Sequence, residues 1–303
     1  MEQLNLVTVS RNYFNMPLWV AKEAGHFAAE GLDVTITLRE PIDAIIAELK
    51  AGTAQIGCGV TEQVILDRER GGSLEIIGGN VNKLPFDLIG GKGITSFEQM
   101  RRKVVGVSSL EAGSSSLIMK LFDAHGMSCP EDYTIEAVGP ILSRWERLQS
   151  GAIQAGLQGS PLNYIALDAG FTTLAKPRDQ FPHFQFTTVN VDSGWAEQNA
   201  DVVTRFMRAL VRAHEWYFAS REKASDIAVA MTGVDRSYAL RAWDEYTGDE
   251  IFPRDADASD EAIQTLIEIS GLIRGLESRR ATHPGDYVNR KYLHEAQHSL
   301  ANA

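Results

Sequence analysis

Little in this sequence announces a chemistry on its own. Only two cysteines, Cys58 and Cys129, occur in 303 residues, too few and too far apart for a disulfide framework, so both read as small apolar residues. Positive charge is scarce as well. A formal net charge of −11 excludes a nucleic-acid partner held by bulk electrostatics, which needs clustered cations. No apolar run is long enough to cross a bilayer, so direct membrane insertion is not expected. The seven histidines lack metal-ligand spacing; His294 and His298, four apart, offer at most half a zinc site, and no metal is expected. There is no Walker loop, no glycine-rich dinucleotide fingerprint and no serine nucleophile elbow, hence no expected cofactor. Solenoid repeats and low-complexity segments are missing too.

The start of the chain lacks a basic segment, an apolar core and a small-residue cleavage site, since Met1-Glu2-Gln3 runs directly into a strand-like stretch. Two locations stay open: periplasmic if a leader has been trimmed away, cytoplasmic otherwise. A small anionic ligand is compatible with the acidic balance, because such a ligand responds to local donors in a cleft rather than to the surface sum.

What is present is an ordinary globular composition, 44% hydrophobic and 23% charged, long enough for one large or two ordinary domains. Leu4–Val9 reads as a strand; Pro17 then opens a helix that Gly31 closes. Strand Val34–Leu38, helix Ile42–Lys50, strand Ile56–Gly59, helix Glu62–Arg70 and strand Leu74–Ile77 continue the alternation. Such spacing predicts parallel βαβ units and an α/β fold.

A second series follows the short strand Phe86–Gly90. It runs through strands Val104–Val107, Tyr133–Ala137, Ala155–Gln158 and Thr172–Ala175, separated by helices at Ser115–Ala124, Ile141–Gln149 and Leu162–Ala169. Phe184–Val191 reads as a returning strand. Beyond it, Val203, Phe206, Met207, Leu210 and Tyr217 recur at helical spacing and predict a buried stripe. Trp216 and Trp243 read as core residues. The organisation is a first lobe (1–88), an inserted second lobe (89–187) and a return with C-terminal helices (188–303). Crossings near Phe86–Gly91 and Phe184–Val191 would form a hinge, with ligand in the cleft between the lobes.

Several segments, in this order, carry a family resemblance: Pro17–Val34, Ala51–Gly57, Ser96–Val107, Gly113–Ser116, Leu148–Ala155 and Tyr287–Leu293. Each is weak alone; together they resemble the sulfonate/nitrate/taurine-type and NMT1/THI5-like solute-binding proteins. The resemblance implies a type II periplasmic-binding fold, with two α/β lobes joined by two crossover strands. It also implies a role as the binding component of an ABC importer, with the importer's membrane subunits as partners if the protein is exported. Some relatives of this architecture are instead decarboxylases, desulfinases or pyrimidine-forming enzymes. The cysteine-rich iron motif of the last group is absent, and a cytoplasmic ligand sensor is a further alternative.

The strongest site candidate is Gly113–Ser116. A Gly-Ser-Ser-Ser helix start offers N–H groups, hydroxyls and the positive end of the dipole to a sulfonate or carboxylate, through Ser114, Ser115 and Ser116; the plainer reading is a helix cap. Related binders place this turn against the anionic head of the ligand. Ser108, with Ser109, lies at the same edge. In the first lobe, Asn12, Tyr13 and Asn15 form either a ligand-contacting loop or a plain βα turn. Cys58, Thr61 and Glu62 follow the third strand, at the edge where open α/β sheets put ligands; Cys58 would be a nucleophile only in the enzyme alternative. Asn80 and Asn82 either touch ligand or shape the turn before the first crossing. Arg144 can grip a carboxylate in bidentate fashion and Trp145 can cover an aromatic ring, or both lie on a solvated face. Gln158 and Ser160 close the set; Ser160 stands where many relatives carry an acidic residue.

Overall fold

The computed structural model describes residues 1–9, 11, 13–39, 43–59 and 61–302, the side chain of Arg274 excepted. Its first series comprises β1 (Glu2–Val9), α1 (Met16–Glu23), α2 (His26–Ala29), β2 (Leu32–Arg39), α3 (Asp43–Ala51), β3 (Ile56–Cys58), α4 (Thr61–Glu69) and β4 (Leu74–Val81). The second comprises β5 (Phe86–Gly90), β6 (Val104–Val107), α5 (Gly113–Asp123), β7 (Thr134–Ala137), α6 (Ile141–Ser150), β8 (Ala155–Gly159), α7 (Leu162–Asp168), β9 (Thr172–Ala175) and α8 (Pro177–Gln180). After β10 (Thr187–Asp192) come α9 (Ser193–Gln198), α10 (Ala200–Ala219), α11 (Arg221–Thr232), α12 (Arg236–Gly248), α13 (Asp260–Arg274), α14 (Glu277–Arg280) and α15 (Lys291–Ala301).

The strands form two five-stranded sheets, ordered β2-β1-β3-β10-β4 and β7-β6-β8-β5-β9. The predicted βαβ units are parallel: β1 pairs with β2 through Leu4↔Val34, and β6 with β7 through Val105↔Ile135. Each sheet also contains one antiparallel strand that arrives from the other lobe, β10 in the first and β5 in the second. The whole of Phe86–Gly90 pairs within the second sheet, so the chain crosses at residues 82–85 and again at 181–186. The crossing segments touch: Phe184 N–H donates to the Asn82 carbonyl at 3.4 Å, and Phe186 N–H to the carbonyl of Val81, the last residue of β4, at 2.9 Å.

Four element readings need correction. The helix opened by Pro17 breaks at Gly25, whose φ of 80° is left-handed. Strand β4 runs on to Val81, which places Asn80 inside a strand rather than in a turn. Residues 184–186 belong to the crossing, and β10 starts at Thr187. Helix α5 begins at Gly113, two residues before the expected Ser115.

The C-terminal helices clamp both lobes. The stripe Val203, Phe206, Met207, Leu210 and Tyr217 on α10 is buried, as its spacing predicts, and Phe206 stacks on Phe27 of α2 at 5.1 Å. Helix α12 packs on α11, and its Tyr246 ring sits 4.8 Å from that of Tyr13 in the first lobe. Trp216 and Trp243 are partly buried against the core. Helix α13 reaches across to α5 of the second lobe.

Candidate ligand-binding cleft

Between the lobes lies a cavity of about 60 Å³. The first lobe contributes Val9, Phe14, Gly59, Thr61, Glu62 and Gln63. The second contributes Phe86, Ser108, Ala112–Ser114, Pro140, Ile141 and Arg144, while the crossing residues Phe184–Phe186 and Leu266 of α13 complete it. Strand ends and helix starts dominate this lining, as expected at the carboxyl edges of open α/β sheets.

Arg144, one turn into α6, is 4% exposed. Its Nε donates to the Leu157 carbonyl at 2.7 Å and its Nη1 to Ser108 Oγ at 2.9 Å. Among the described residues no carboxylate forms an ion pair with it. Burial alone pushes its pKa down to about 10, so the group remains a cation at neutral pH. The α5 start lies beside it. Gly113 and Ser114 line the cavity, and the first N–H groups of a helix have no partner within it. The N-cap residue there is Ala112, whose methyl side chain cannot cap the helix.

Opposite, Thr61 bonds the Phe186 carbonyl and Thr188 Oγ1, each at 3.1 Å, and so ties α4 to the crossing. Glu62 is paired with the fully buried Arg279, which also grips Glu69 at 2.6 Å. Gln185 is held by the Val81 carbonyl, Asn82 Oδ1 and the Ser259 N–H. Phe14, Phe86 and Phe186 supply an apolar wall, with Phe186 edge-on to both of the others at 5.5 and 4.6 Å.

Of the residues singled out from sequence, Thr61, Ser108, Gly113, Ser114 and Arg144 reach this cavity, as does Glu62. The others do not line it. Tyr13 is buried under α10 and α12, its hydroxyl 3.0 Å from that of Tyr217. Asn15 braces the end of β1 by donating to the Val9 carbonyl at 2.9 Å. Asn80 donates to the Phe14 carbonyl at 3.0 Å and to Thr187 Oγ1 at 2.9 Å, which positions Phe14 from behind. Cys58 is fully buried, and burial pushes its thiol up to about 12, the reverse of what activates a nucleophile. Ser115 and Ser116 turn into the second-lobe core; Ser115 Oγ donates to the Ser109 carbonyl at 2.5 Å. Trp145 packs on Phe171, ring to ring at 5.2 Å. Gln158 is buried in β8 beside Asp87, and Ser160 donates to Glu245 Oε2 at 2.7 Å. Asn12 lies outside the described residues.

Sequence reading missed Gln63, the Phe86/Phe186 wall and Gly156, over which the stem of Arg144 lies. A glycine inside a strand was the available signal for that close approach.

Comparisons with known proteins agree with this fold. The nitrate-binding protein NrtA from Synechocystis superposes with a TM-score of 0.81 at 14% identity, covering 100% of this chain and 90% of that one. The alkanesulfonate-binding protein SsuA from Xanthomonas axonopodis, bound to MOPS, does so at 0.77 and 15%, covering 95% and 98%. At such identities the likeness establishes the fold. In sequence, a 4-amino-5-hydroxymethyl-2-methylpyrimidine phosphate synthase from Uromyces fabae is 28% identical over 159 residues. That match spans 51% of this chain and only 45% of the relative. Residues 12–224 match the NMT1/THI5-like family. With more than half of its length so matched, the chain belongs to the NMT1/THI5-like family and carries the type II periplasmic-binding fold.

Proposed function

We propose that this protein binds a small organic anion between its lobes and serves as the solute-binding component of an ABC importer. One observation carries the reading: Arg144 is a buried guanidinium at the cavity without a carboxylate partner among the described residues. A buried charge of that kind is costly unless something neutralises it, and an anionic ligand supplies the missing charge with charge-assisted hydrogen bonds. Ser108, Ser114 and the α5 start add donors beside it, and the phenylalanine wall suits a short apolar tail.

Size narrows the ligand. The cavity of about 60 Å³ is well below the roughly 150 Å³ that accepts benzene. A compact sulfonate or carboxylate with a short chain therefore fits the lobes as they stand, whereas an aromatic ring calls for wider separation. The neighbours named for sulfonate and nitrate binding support the same role. Export to the periplasm and docking on membrane subunits belong to this reading. An enzyme built on Cys58 finds no support in a fully buried thiol away from the cavity.

The test is calorimetry with ethanesulfonate, nitrate, acetate and benzoate, beside mass spectrometry of whatever co-purifies. Wild type should bind ethanesulfonate or acetate more tightly than benzoate, and Arg144→Met should lose at least a hundredfold, ~2.7 kcal/mol. Freed of its unpaired charge, that variant should also unfold at higher denaturant when no ligand is present. Unchanged affinity in Arg144→Met would remove the anion reading.

A further inference from the structure

Among the polar side chains around the cavity, most are already engaged. Thr61 is spent on the crossing, Gln185 on Val81 and Asn82, and Glu62 on Arg279. Gln63 differs. It sits on the first turn of α4, is 7% exposed, and its Nε2 is buried without a hydrogen-bond partner among the described residues. Folded proteins leave such donors unmatched rarely, because the lost hydration is not replaced.

Position adds meaning to that gap. Gln63 belongs to the first lobe, whereas Arg144, Ser108 and the α5 start belong to the second, and all of them line one small cavity. Gln63 also lines an outer groove with Lys50, Arg70 and Glu111, so it stands between the cavity and solvent. A ligand favours closed lobes only by making contacts that the open form lacks. The second lobe alone holds the guanidinium, so an opposing donor is required from the first.

We infer that Gln63 donates its side-chain amide to the ligand's anionic group from the first lobe, opposite Arg144, and thereby couples binding to lobe closure. This rests on the anion reading of the cleft. Both hydrogens of a carboxamide point forward along the side chain, and the buried Nε2 has no competing acceptor among the described residues. The contact makes Gln63 a specificity determinant: it favours an oxyanion over an apolar isostere of the same size.

Calorimetry with ethanesulfonate on wild type, Gln63→Met, Gln63→Glu and Arg144→Met tests it, with melting curves for each. Gln63→Met should weaken binding at least tenfold. Gln63→Glu, isosteric but negative at pH 7, should weaken it at least a hundredfold, and neither should lower the ligand-free melting temperature by more than a few degrees. That graded order follows from contact with an anion and not from a packing role. If Arg144→Met loses binding while Gln63→Met and Gln63→Glu stay within twofold of wild type, this inference fails and the anion reading stands. If Gln63→Met does not fold, the isosteric Gln63→Glu decides by the same criterion. If wild type binds none of ethanesulfonate, nitrate and acetate, both fall together.

Discussion

Arg178 of α8 and Glu245 of α12 form an ion pair at 2.5 Å that joins the second lobe to the helices packed on the first. Glu245 also accepts from Ser160 Oγ at 2.7 Å and from the Tyr164 hydroxyl, and Arg178 reaches Asp249 at 3.3 Å. Tyr238, Arg241 and Glu245 lie three or four residues apart on one face of α12, and Asp249 follows as its C-cap. Tyr238 donates to Asp168 at 2.5 Å, and Arg241 stacks 3.9 Å over the Tyr164 ring. The pair is 13–15% exposed, so breaking it leaves a poorly solvated Arg178 to its longer contacts with Asp249 at 3.3 Å and Asp87 at 4.0 Å.

Glu245→Ala should therefore cost about 3 kcal/mol in urea unfolding, and Arg178→Met should recover part of that loss in the double variant. The same substitution should speed ligand release, because the clamp spans the lobes. A double-mutant cycle with no coupling would reduce the stripe to surface decoration.

His214 gives the protein an acid limit. It is fully buried on α10 with Nδ1 on the Pro253 carbonyl at 2.5 Å, and burial pushes its pKa down to about 4. In the unfolded chain the ordinary value is near 6.5. Below that value the unfolded state takes up a proton that the native state refuses. Stability from this group is thus complete above about pH 6.5 and drains away as pH falls toward 4, by about 3 kcal/mol. His214→Gln should be less stable at pH 7.5 yet lose less on acidification to pH 4.5. Equal losses for the two proteins over that range would rule His214 out as the source.

The alternation of strands and helices was readable because burial patterns and glycine stops repeat along the chain; the sheets follow it from Leu4 to Ala175. Helix phase and strand face were harder. Arg144 and Trp145 are neighbours on α6, about 100° apart around the axis, so one meets the cavity and the other meets Phe171. Ser114 and Ser115 divide in the same way on α5. In β5 the pleat sends Phe86 to the cavity, while Asp87 lies beside Gln158 away from it. A shift of one residue decides each case, and only tertiary packing fixes that shift. Gln63 escaped notice because nothing local distinguishes a cleft-facing glutamine from a solvated one.

Gly156 shows how a bland residue sets the site. It is the second residue of β8, a strand buried along its whole length, and a Cβ there would lie 2.9 Å from Arg144 Cδ and 3.0 Å from Cγ. The stem cannot swing away cheaply, because the Arg144 Nε is bonded to the Leu157 carbonyl at 2.7 Å, one residue along the same strand. The carbonyl of Gly106, 3.4 Å from that Cβ, closes the other direction. Gly156→Ala should therefore displace the guanidinium from Ser108 and weaken ethanesulfonate binding at least tenfold, with an overpacking cost of about 1–3 kcal/mol in stability. Since the substitution adds one methyl and removes no polar group, a large loss of affinity would report the position of Arg144 rather than its charge. Wild-type affinity in Gly156→Ala would mean that the guanidinium tolerates displacement, and its anchoring by Leu157 and Ser108 would lose its functional meaning.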